Sequence, residues 1–374
     1  MTSKFELSIS TEYVPDWGLV EAFRELFQNA LDNETVNPEN KMGWSYDDKN
    51  LQVVISNKTS TLDTKSLLLG SGTKHDRTDT IGKHGEGYKI AFMVLLRNGK
   101  GIRVENYGAN EIWGVRLVKS RKYSGCMVPT VFVNKEPIWK KKPNNDLTII
   151  VDNITPEEYE TLVNKNLHLR KEVSRLDNAD YGGVLTDKSE QGNIYVNGLY
   201  VTHLDGFKYG YDFTPSIMRL DRDRKLVDSF NVEYYASKIW NKLSVSNEQA
   251  REIATNLIYD EARDIKYVNL VMDFSHDLSD SVTQKFIDDN GDNAVPVTSN
   301  SEYDTVINNG FGNPIIVSER MKSVLSRSTI LKTMEIAENI TVKEQLEQFK
   351  EKIRGKLTED EIEQFEELIK KVNN

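Results

Sequence analysis

The stretch of sequence that decides the fold is RELFQNALD, residues 24–32. Apolar residues around it, over residues 17–31, recur at helical spacing, which predicts a helix with one face in a hydrophobic core. Glu25, Asn29 and Asp32 fall on one polar stripe of that helix. The stripe is either an ordinary solvated face or a set of side chains that point into a cleft. In a cleft, the carboxylate can orient or deprotonate a water molecule, and the amide oxygen can coordinate a magnesium ion.

A second stretch, IGKHGEGYK at residues 81–89, places Gly82, Gly85 and Gly87 ahead of an apolar run. This pattern predicts a loop that passes into a buried helix. The first N–H groups of such a helix have no partner within it, and together with the helix dipole they form an anion site. Lys89 would add a positive charge in the first turn. Taken alone, the glycines fit a flexible turn equally well, and they match neither a Walker A loop nor a Rossmann site.

Together the two stretches, with a strand-like run between them at residues 51–57, resemble the ATP site of the GHKL superfamily. This group contains DNA gyrase B subunits, the large heat-shock chaperone, sensor histidine kinases, MutL and MORC proteins. The resemblance implies an α/β fold that begins with a two-layer Bergerat sandwich and binds ATP with Mg²⁺. It also implies that Glu25 is the general base and Asn29 the magnesium ligand. Further nucleotide contacts would come from Asp32, Gly82, Gly85, Gly87 and Lys89.

The sequence departs from the family pattern after the strand. The family has an Asp-Gly-Gly box there, whose aspartate binds the adenine amino group, whereas residues 56–62 read SNKTSTL. Asn57 or Ser56 would have to replace it, and an asparagine can accept a hydrogen bond from the amino group and donate one to a ring nitrogen. Residues 67–80 resemble the mobile ATP lid, with Thr73 and Lys74 as contacts, although an ordinary surface loop fits their composition as well. Thr148 matches the threonine of a later strand that lines the nucleotide pocket.

Four further segments are most similar to bacteriophage rIIA-type ATPases: YVPDWG, SLLLG, YVNGLYV and LDRDR, which begin at residues 13, 66, 195 and 220. The resemblance implies a phage protein in the host cell cytoplasm that counters host defence or exclusion. In related ATPases a transducer domain offers a basic residue to the γ-phosphate, and Arg222 and Arg224 are the candidates here. A charged turn before a helix explains these arginines equally well.

Composition limits the remaining possibilities. The formal net charge of −10 over 374 residues argues against a protein that coats nucleic acid nonspecifically. With a single cysteine, Cys126, the chain has no internal disulfide, and its five histidines lack ligand spacing. No apolar run approaches the roughly 20 residues that cross a bilayer, and the N-terminus lacks a signal-peptide core. We therefore expect a cytoplasmic protein, with neither a membrane nor nucleic acid as its main ligand.

The pattern along the chain predicts four segments. These are a GHKL ATP-binding domain (1–155), a transducer-like middle domain (156–265), a small α/β module with a parallel sheet (266–328) and C-terminal helices (329–374). In the middle domain we predict a polar helix to about residue 171, and a strand over 194–201 that forms a hairpin with 204–211. In the α/β module a further strand is predicted at 268–274.

The predicted function is a magnesium-dependent ATP-binding protein with ATPase activity that acts as a nucleotide-gated switch. Its N-terminal segment would order on nucleotide binding and favour a homodimer, and an unidentified protein would be the client. Two alternatives belong to other classes. A sensor-type kinase is disfavoured because no helical hairpin with a phosphoacceptor histidine precedes the ATP module. A noncatalytic ATP-sensing or partner-binding module stays open because the aspartate box is missing.

Overall fold

The computed structural model describes residues 2–67, 87–136, 144–218, 229–271, 273–310, 312–330, 346–347, 349–350 and 353–371. Contacts among residues divide the chain into two units. The first unit holds Met1–Arg175, Ala179–Asp205 and Tyr209–Ser229, and the second holds Leu176–Asn178, Gly206–Lys208 and Phe230–Asn374. The finer division into four segments stays a prediction.

Seven strands form the main sheet of the first unit: β1 (Thr2–Glu6), β2 (Met42–Asp47), β3 (Gln52–Asn57), β4 (Gly101–Asn106), β5 (Glu111–Lys119), β6 (Met127–Lys135) and β7 (Leu147–Asp152). All neighbours are antiparallel, in the order β1-β6-β5-β4-β7-β3-β2. Alternation along β3 shows how the sequence orients the sheet, because Val53 and Ile55 are buried while Val54 and Ser56 are half-buried.

Three helices cover the face of the sheet to which the buried alternate residues point: α1 (Leu19–Val36), α2 (Gly87–Arg97) and α3 (Pro156–Asn164). The core between the layers contains Leu26 of α1, Phe92 of α2 and, from the sheet, Trp113 and Val151. At the start of α1 the Gly18 N–H donates to the Glu21 carboxylate at 2.8 Å, which satisfies one backbone donor at this helix end. The mixed α/β class predicted from the sequence is confirmed.

Arg97, the last residue of α2, joins this helix to the chain that enters α1. Its guanidinium donates four hydrogen bonds of 2.7–3.1 Å to backbone carbonyls of Thr11, Tyr13, Val14 and Trp17. The two helices that carry the motifs are thus held together by one side chain, in addition to their apolar contacts.

A second sheet lies within the first unit. Its strands there are β9 (Gly182–Leu185), β10 (Asn193–Val196), β11 (Leu199–His203) and β12 (Gly210–Phe213), in the order β11-β10-β12-β9. β8 (Arg175–Asn178) starts in this unit, and its remaining residues belong to the second unit.

Three local predictions for this region are wrong. The predicted helix to residue 171 ends at Asn164. The single strand over 194–201 is two strands, because Asn197 and Gly198 have φ values of 50° and 75° and form a tight turn. Residues 210–213 pair in parallel with β10, so they do not continue a hairpin.

The second unit is mainly helical. From Phe230 onwards the described residues of this unit form these α-helices and strands, the first of which starts at Ser229: α4 (Ser229–Ser246), α5 (Glu248–Tyr259), α6 (His276–Asn290), β13 (Ala294–Val297), α7 (Asn300–Asn309), β14 (Asn313–Ile316), α8 (Glu319–Leu325) and α9 (Glu359–Lys371). The predicted parallel sheet is confirmed for β13 and β14. The strand predicted at 268–274 is wrong, because Val268–Leu270 form a 3₁₀ helix. None of the helices within the described ranges is long and apolar enough to cross a membrane.

Candidate functional site

The polar stripe of α1 is buried. The side chains of Glu25, Gln28 and Asp32 are each 2% exposed, Arg24 is 7% exposed, and Asn29 is half-buried. An ordinary amphipathic helix leaves such residues in water, so the interpretation of this stripe as a solvated face is wrong. Burial of several polar groups on one helix face points to a site at this surface.

The N-terminus of α2 lies directly against this stripe. A Cβ atom on Gly87 would lie 2.7 Å from Oε2 of Glu25 and 3.1 Å from Nδ2 of Asn29. Both distances are shorter than ordinary contacts, so any larger residue at position 87 would displace the ends of the Glu25 and Asn29 side chains. The structure therefore brings together Glu25, Asn29 and Gly87, which the sequence analysis had placed in two separate stretches.

The next two residues of α2 are the half-buried Tyr88 and the buried Lys89. Burial raises the pKa of the Tyr88 phenol, and the negative charge of Asp32 raises it further. Lys89, in the first turn, is 1% exposed. Asp32 thus lies close enough to the start of α2 for its charge to act on the Tyr88 phenol, and the Lys89 side chain is enclosed in the same helical turn.

Two carboxamides on α1 have buried donor atoms without a hydrogen-bond partner among the described residues: Nδ2 of Asn29 and Nε2 of Gln28. Leaving a buried donor unpaired costs about 1–3 kcal/mol. A half-turn of the Asn29 carboxamide would instead present its oxygen to the start of α2. These groups therefore fit a ligand that carries oxygen atoms and a metal ion.

No cluster of three or more histidine, cysteine or acidic side chains suited to hold a metal by itself occurs among the described residues. Magnesium commonly takes only one or two protein ligands and completes its shell with water and phosphate oxygens. A single oxygen from Asn29 is therefore compatible with Mg²⁺ that arrives with a nucleotide.

Arg24 connects the stripe to the second sheet of the same unit. Its Nε atom lies 3.8 Å from Oε1 of Glu25, and its guanidinium lies 5.3 Å from the centre of the Trp17 ring. It also donates to the backbone oxygen of Tyr200 on β11 at 3.4 Å. The sequence analysis missed Arg24 and Gln28, since only their burial distinguishes them from solvated polar residues.

Asn57 closes the end of β3 against α1. Its Nδ2 atom donates to the backbone oxygens of Ala30 and Asn40, both at 2.9 Å. Donation from this amide to an adenine ring nitrogen, as the sequence suggested, therefore conflicts with the structure, because both donor hydrogens are used. The Asn57 carbonyl oxygen is the atom that can accept from a base.

Two residues that the sequence analysis overlooked hold the segment after β3. The Asp146 carboxylate accepts a 3.2 Å hydrogen bond from the Thr59 N–H. Its other oxygen lies 3.3 Å from the Lys58 ammonium nitrogen. Asn106, which is fully buried, exchanges two hydrogen bonds with the backbone of Leu62. This chain therefore fixes the segment with amide and carboxylate side chains.

Thr148 is not brought to the site. Its neighbours Leu147 and Ile149 point into the core below α1 and α2, so Thr148 points to the opposite face of the sheet. Six other predicted site residues lie outside the described residues: Thr73, Lys74, Gly82, Gly85, Arg222 and Arg224.

Sequence comparison finds relatives of undefined function. A family model described as the Mycoplasma pneumoniae MPN635 N-terminal domain matches residues 157–249. An uncharacterized protein of Mycoplasma pneumoniae (strain ATCC 29342 / M129 / Subtype 1) is 24% identical over 224 residues, which is 58% of this chain and 85% of that protein.

Structure comparison finds ATPase regions of type II topoisomerases. The Saccharomyces cerevisiae region has a TM-score of 0.31 at 12% identity, covering 49% of this chain and 62% of that one. The same region bound to ICRF-187 (dexrazoxane) has a TM-score of 0.32 at 12% identity, and the match covers 52% of this chain and 72% of that one. The ATPase and transducer domains of the Balamuthia mandrillaris enzyme have a TM-score of 0.29 at 13% identity, and the match covers 54% of this chain and 67% of that one. At these scores the likenesses carry no information on the role of any residue.

Proposed function

We propose that this chain is a magnesium-dependent ATP-binding protein of the GHKL type that hydrolyses ATP. The observation that carries the proposal is the contact of Gly87 with Glu25 and Asn29, because it places the N-terminus of one helix beside a buried carboxylate and a half-buried carboxamide of another. A helix N-terminus favours phosphate, and a carboxylate beside it is suited to take a proton from water.

In this proposal each described residue of the site has one role. The first N–H groups of α2 and the enclosed Lys89 would hold phosphate oxygens, and Asn29 would offer its oxygen to magnesium. When bound, the metal neutralises charge on the phosphates. Glu25 would accept a proton from water at a carboxylate oxygen. Asp32 would contribute negative charge at the start of α2. Asn57 would accept a hydrogen bond from the base.

The finer features of the proposal concern regulation. Nucleotide binding would act as a conformational switch, with the N-terminal segment and a transducer-like region responding to it, and the bound state would favour a homodimer that engages a protein client. The similarity to rIIA-type proteins supports a phage protein of the host cytoplasm. Contacts from Thr73, Lys74, Gly82, Gly85, Arg222 and Arg224 to the nucleotide belong to this proposal.

A noncatalytic ATP-sensing module is the second candidate, and one observation favours it. Because both hydrogens of the Asn57 amide are bonded to backbone oxygens, Asn57 can contact a base only as a hydrogen-bond acceptor, through its side-chain oxygen. Calorimetry with Mg-ATP beside an assay of ADP release distinguishes the two. Binding with turnover supports the ATPase, binding without turnover supports the sensing module, and absence of binding removes both.

A further inference from the structure

Gln28 is a buried polar residue of α1 to which the proposed function assigns no role. Its side chain is 2% exposed and its Nε2 atom has no hydrogen-bond partner among the described residues. A glutamine on a solvated face keeps this donor in water at no cost, whereas a buried unpaired donor destabilises the fold. A bound group that accepts a hydrogen bond would remove this penalty.

The helix register places Gln28 next to Glu25. It follows Glu25 by three residues, so the two are neighbours on the helix surface, with Cβ atoms about 5–6 Å apart. On its other side Gln28 is one turn from Arg24, which contacts β11. Gln28 therefore lies between the carboxylate at the start of α2 and the edge of the second sheet.

We infer that Gln28 is a further catalytic residue, whose Nε2–H donates to the water molecule that Glu25 deprotonates. This inference rests on the proposed ATPase function. The spacing of the two side chains suits one shared water, because the carboxylate accepts a hydrogen bond from that water and the carboxamide donates one to its oxygen. With both bonds made, the water is fixed in position and orientation, which contributes to the rate of attack.

The step balances with ATP and water alone. The water oxygen forms a bond to the terminal phosphorus, and the bond from that phosphorus to the bridging oxygen breaks, with its electron pair leaving on ADP. The proton passes to the Glu25 carboxylate. Gln28 keeps its protons throughout and acts only by holding the water.

The experiment compares the full chain with Gln28→Leu, which keeps the approximate size and removes the donor, and with Gln28→Glu, which keeps the shape. Gln284→Leu is the matched control, because Gln284 is an exposed helical glutamine in the second unit. Three quantities are measured: the melting temperature without nucleotide, the affinity for a nonhydrolysable ATP analogue with magnesium, and the turnover of ATP.

For Gln28→Leu we expect a higher melting temperature, because an unpaired buried donor has been removed. We expect unchanged affinity for the analogue and a fall in turnover of roughly 10²-fold, as for loss of one positioned donor. Gln28→Glu is expected to lose turnover as well, since a carboxylate does not donate. The Gln284→Leu control keeps the wild-type affinity and turnover.

Two outcomes overturn the inference and leave the proposed function intact. Wild-type turnover in both Gln28 variants would show that the donor is not used. A parallel loss of analogue affinity and turnover would show that Gln28 binds the nucleotide instead of the water. If the wild-type chain neither binds the analogue nor hydrolyses ATP, the proposed function fails, and the role of Gln28 falls with it.

Discussion

A Cβ atom on Gly87 would lie 2.7 Å from Oε2 of Glu25, so the glycine-rich stretch contacts the carboxylate of the first motif. Gly87 is the first residue of the helix α2, and a helical backbone conformation is open to every residue with a side chain except proline. The requirement for glycine here is thus one of space and not of backbone conformation, which makes it separable from folding by a single substitution.

Gly87→Ala should therefore reduce activity and preserve the fold. Alanine favours a helix over glycine by about 1 kcal/mol, while its methyl group displaces the Glu25 carboxylate. We expect a melting temperature close to that of the wild type and a fall in ATP turnover of about 10²-fold, as for a displacement of roughly 1 Å. Gly114→Ala is the control, because a Cβ on Gly114 meets no atom within 4 Å. Equal turnover in the two variants would contradict this interpretation.

Glu25→Ala should retain ATP binding and lose turnover, because the carboxylate acts on water and not on the nucleotide. Loss of a positioned base reduces rates by about 10²–10⁴-fold. Calorimetry gives the affinity and an assay of ADP release gives the rate. Glu12→Ala, at an exposed position, is the control. A variant at position 25 that turns over ATP at the wild-type rate would remove Glu25 from the mechanism.

Asn29→Ala should weaken ATP binding more with magnesium than without it, because the partner proposed for Asn29 is the metal. Calorimetric titrations with magnesium and with a chelator measure the two affinities on the same protein. An equal loss in both titrations would assign Asn29 a structural role between α1 and α2.

Arg97→Met should destabilise the first unit. The substitution removes four donated hydrogen bonds and leaves carbonyls of the segment 11–17 without them. We expect a decrease of about 2–4 kcal/mol in the free energy of unfolding, measured by urea denaturation. Arg103→Ala is the control, because that side chain is 49% exposed and forms a surface ion pair. Similar stabilities of both variants would show that the Arg97 bonds contribute little.

Nucleotide should shift the chain towards a dimer if it acts as a switch. β1 pairs with β6 of the same chain at the edge of the main sheet, where an N-terminal arm could be exchanged between two copies. A ligand shifts such an equilibrium only through its different affinity for the two states. Light scattering with and without a nonhydrolysable analogue measures the mass. A monomer at saturating analogue, or a complete dimer without it, would rule out nucleotide-gated dimerisation.

The elements that carry the site were predictable because their periodicity is strong. The apolar spacing around Leu26 and the run that follows Gly87 give α1 and α2, and alternation around Val53 and Ile55 gives β3. That Glu25 and Asn29 face a cleft, as the polar motifs predict, stays a prediction.

Features that depend on other segments were not predictable from one sequence. The contact between Gly87 and Glu25 and the burial of Gln28 arise from packing between distant segments. The side of the sheet on which Thr148 lies depends on register, and a shift of one residue reverses it. The turn at Asn197 was the exception, since Asn-Gly between strand-like runs is a strong hairpin signal that was overlooked.

The two hydrogen bonds from the Asn57 amide to the backbone have a consequence for the choice of base. With its hydrogens used, Asn57 can offer a base only lone pairs. Adenine carries an amino group at position 6 and matches such an oxygen, whereas guanine and hypoxanthine carry a carbonyl there. If Asn57 accepts from a base as proposed, the carbonyl of those bases gives it no hydrogen at this position, so we expect adenosine nucleotides to bind more tightly than guanosine or inosine nucleotides.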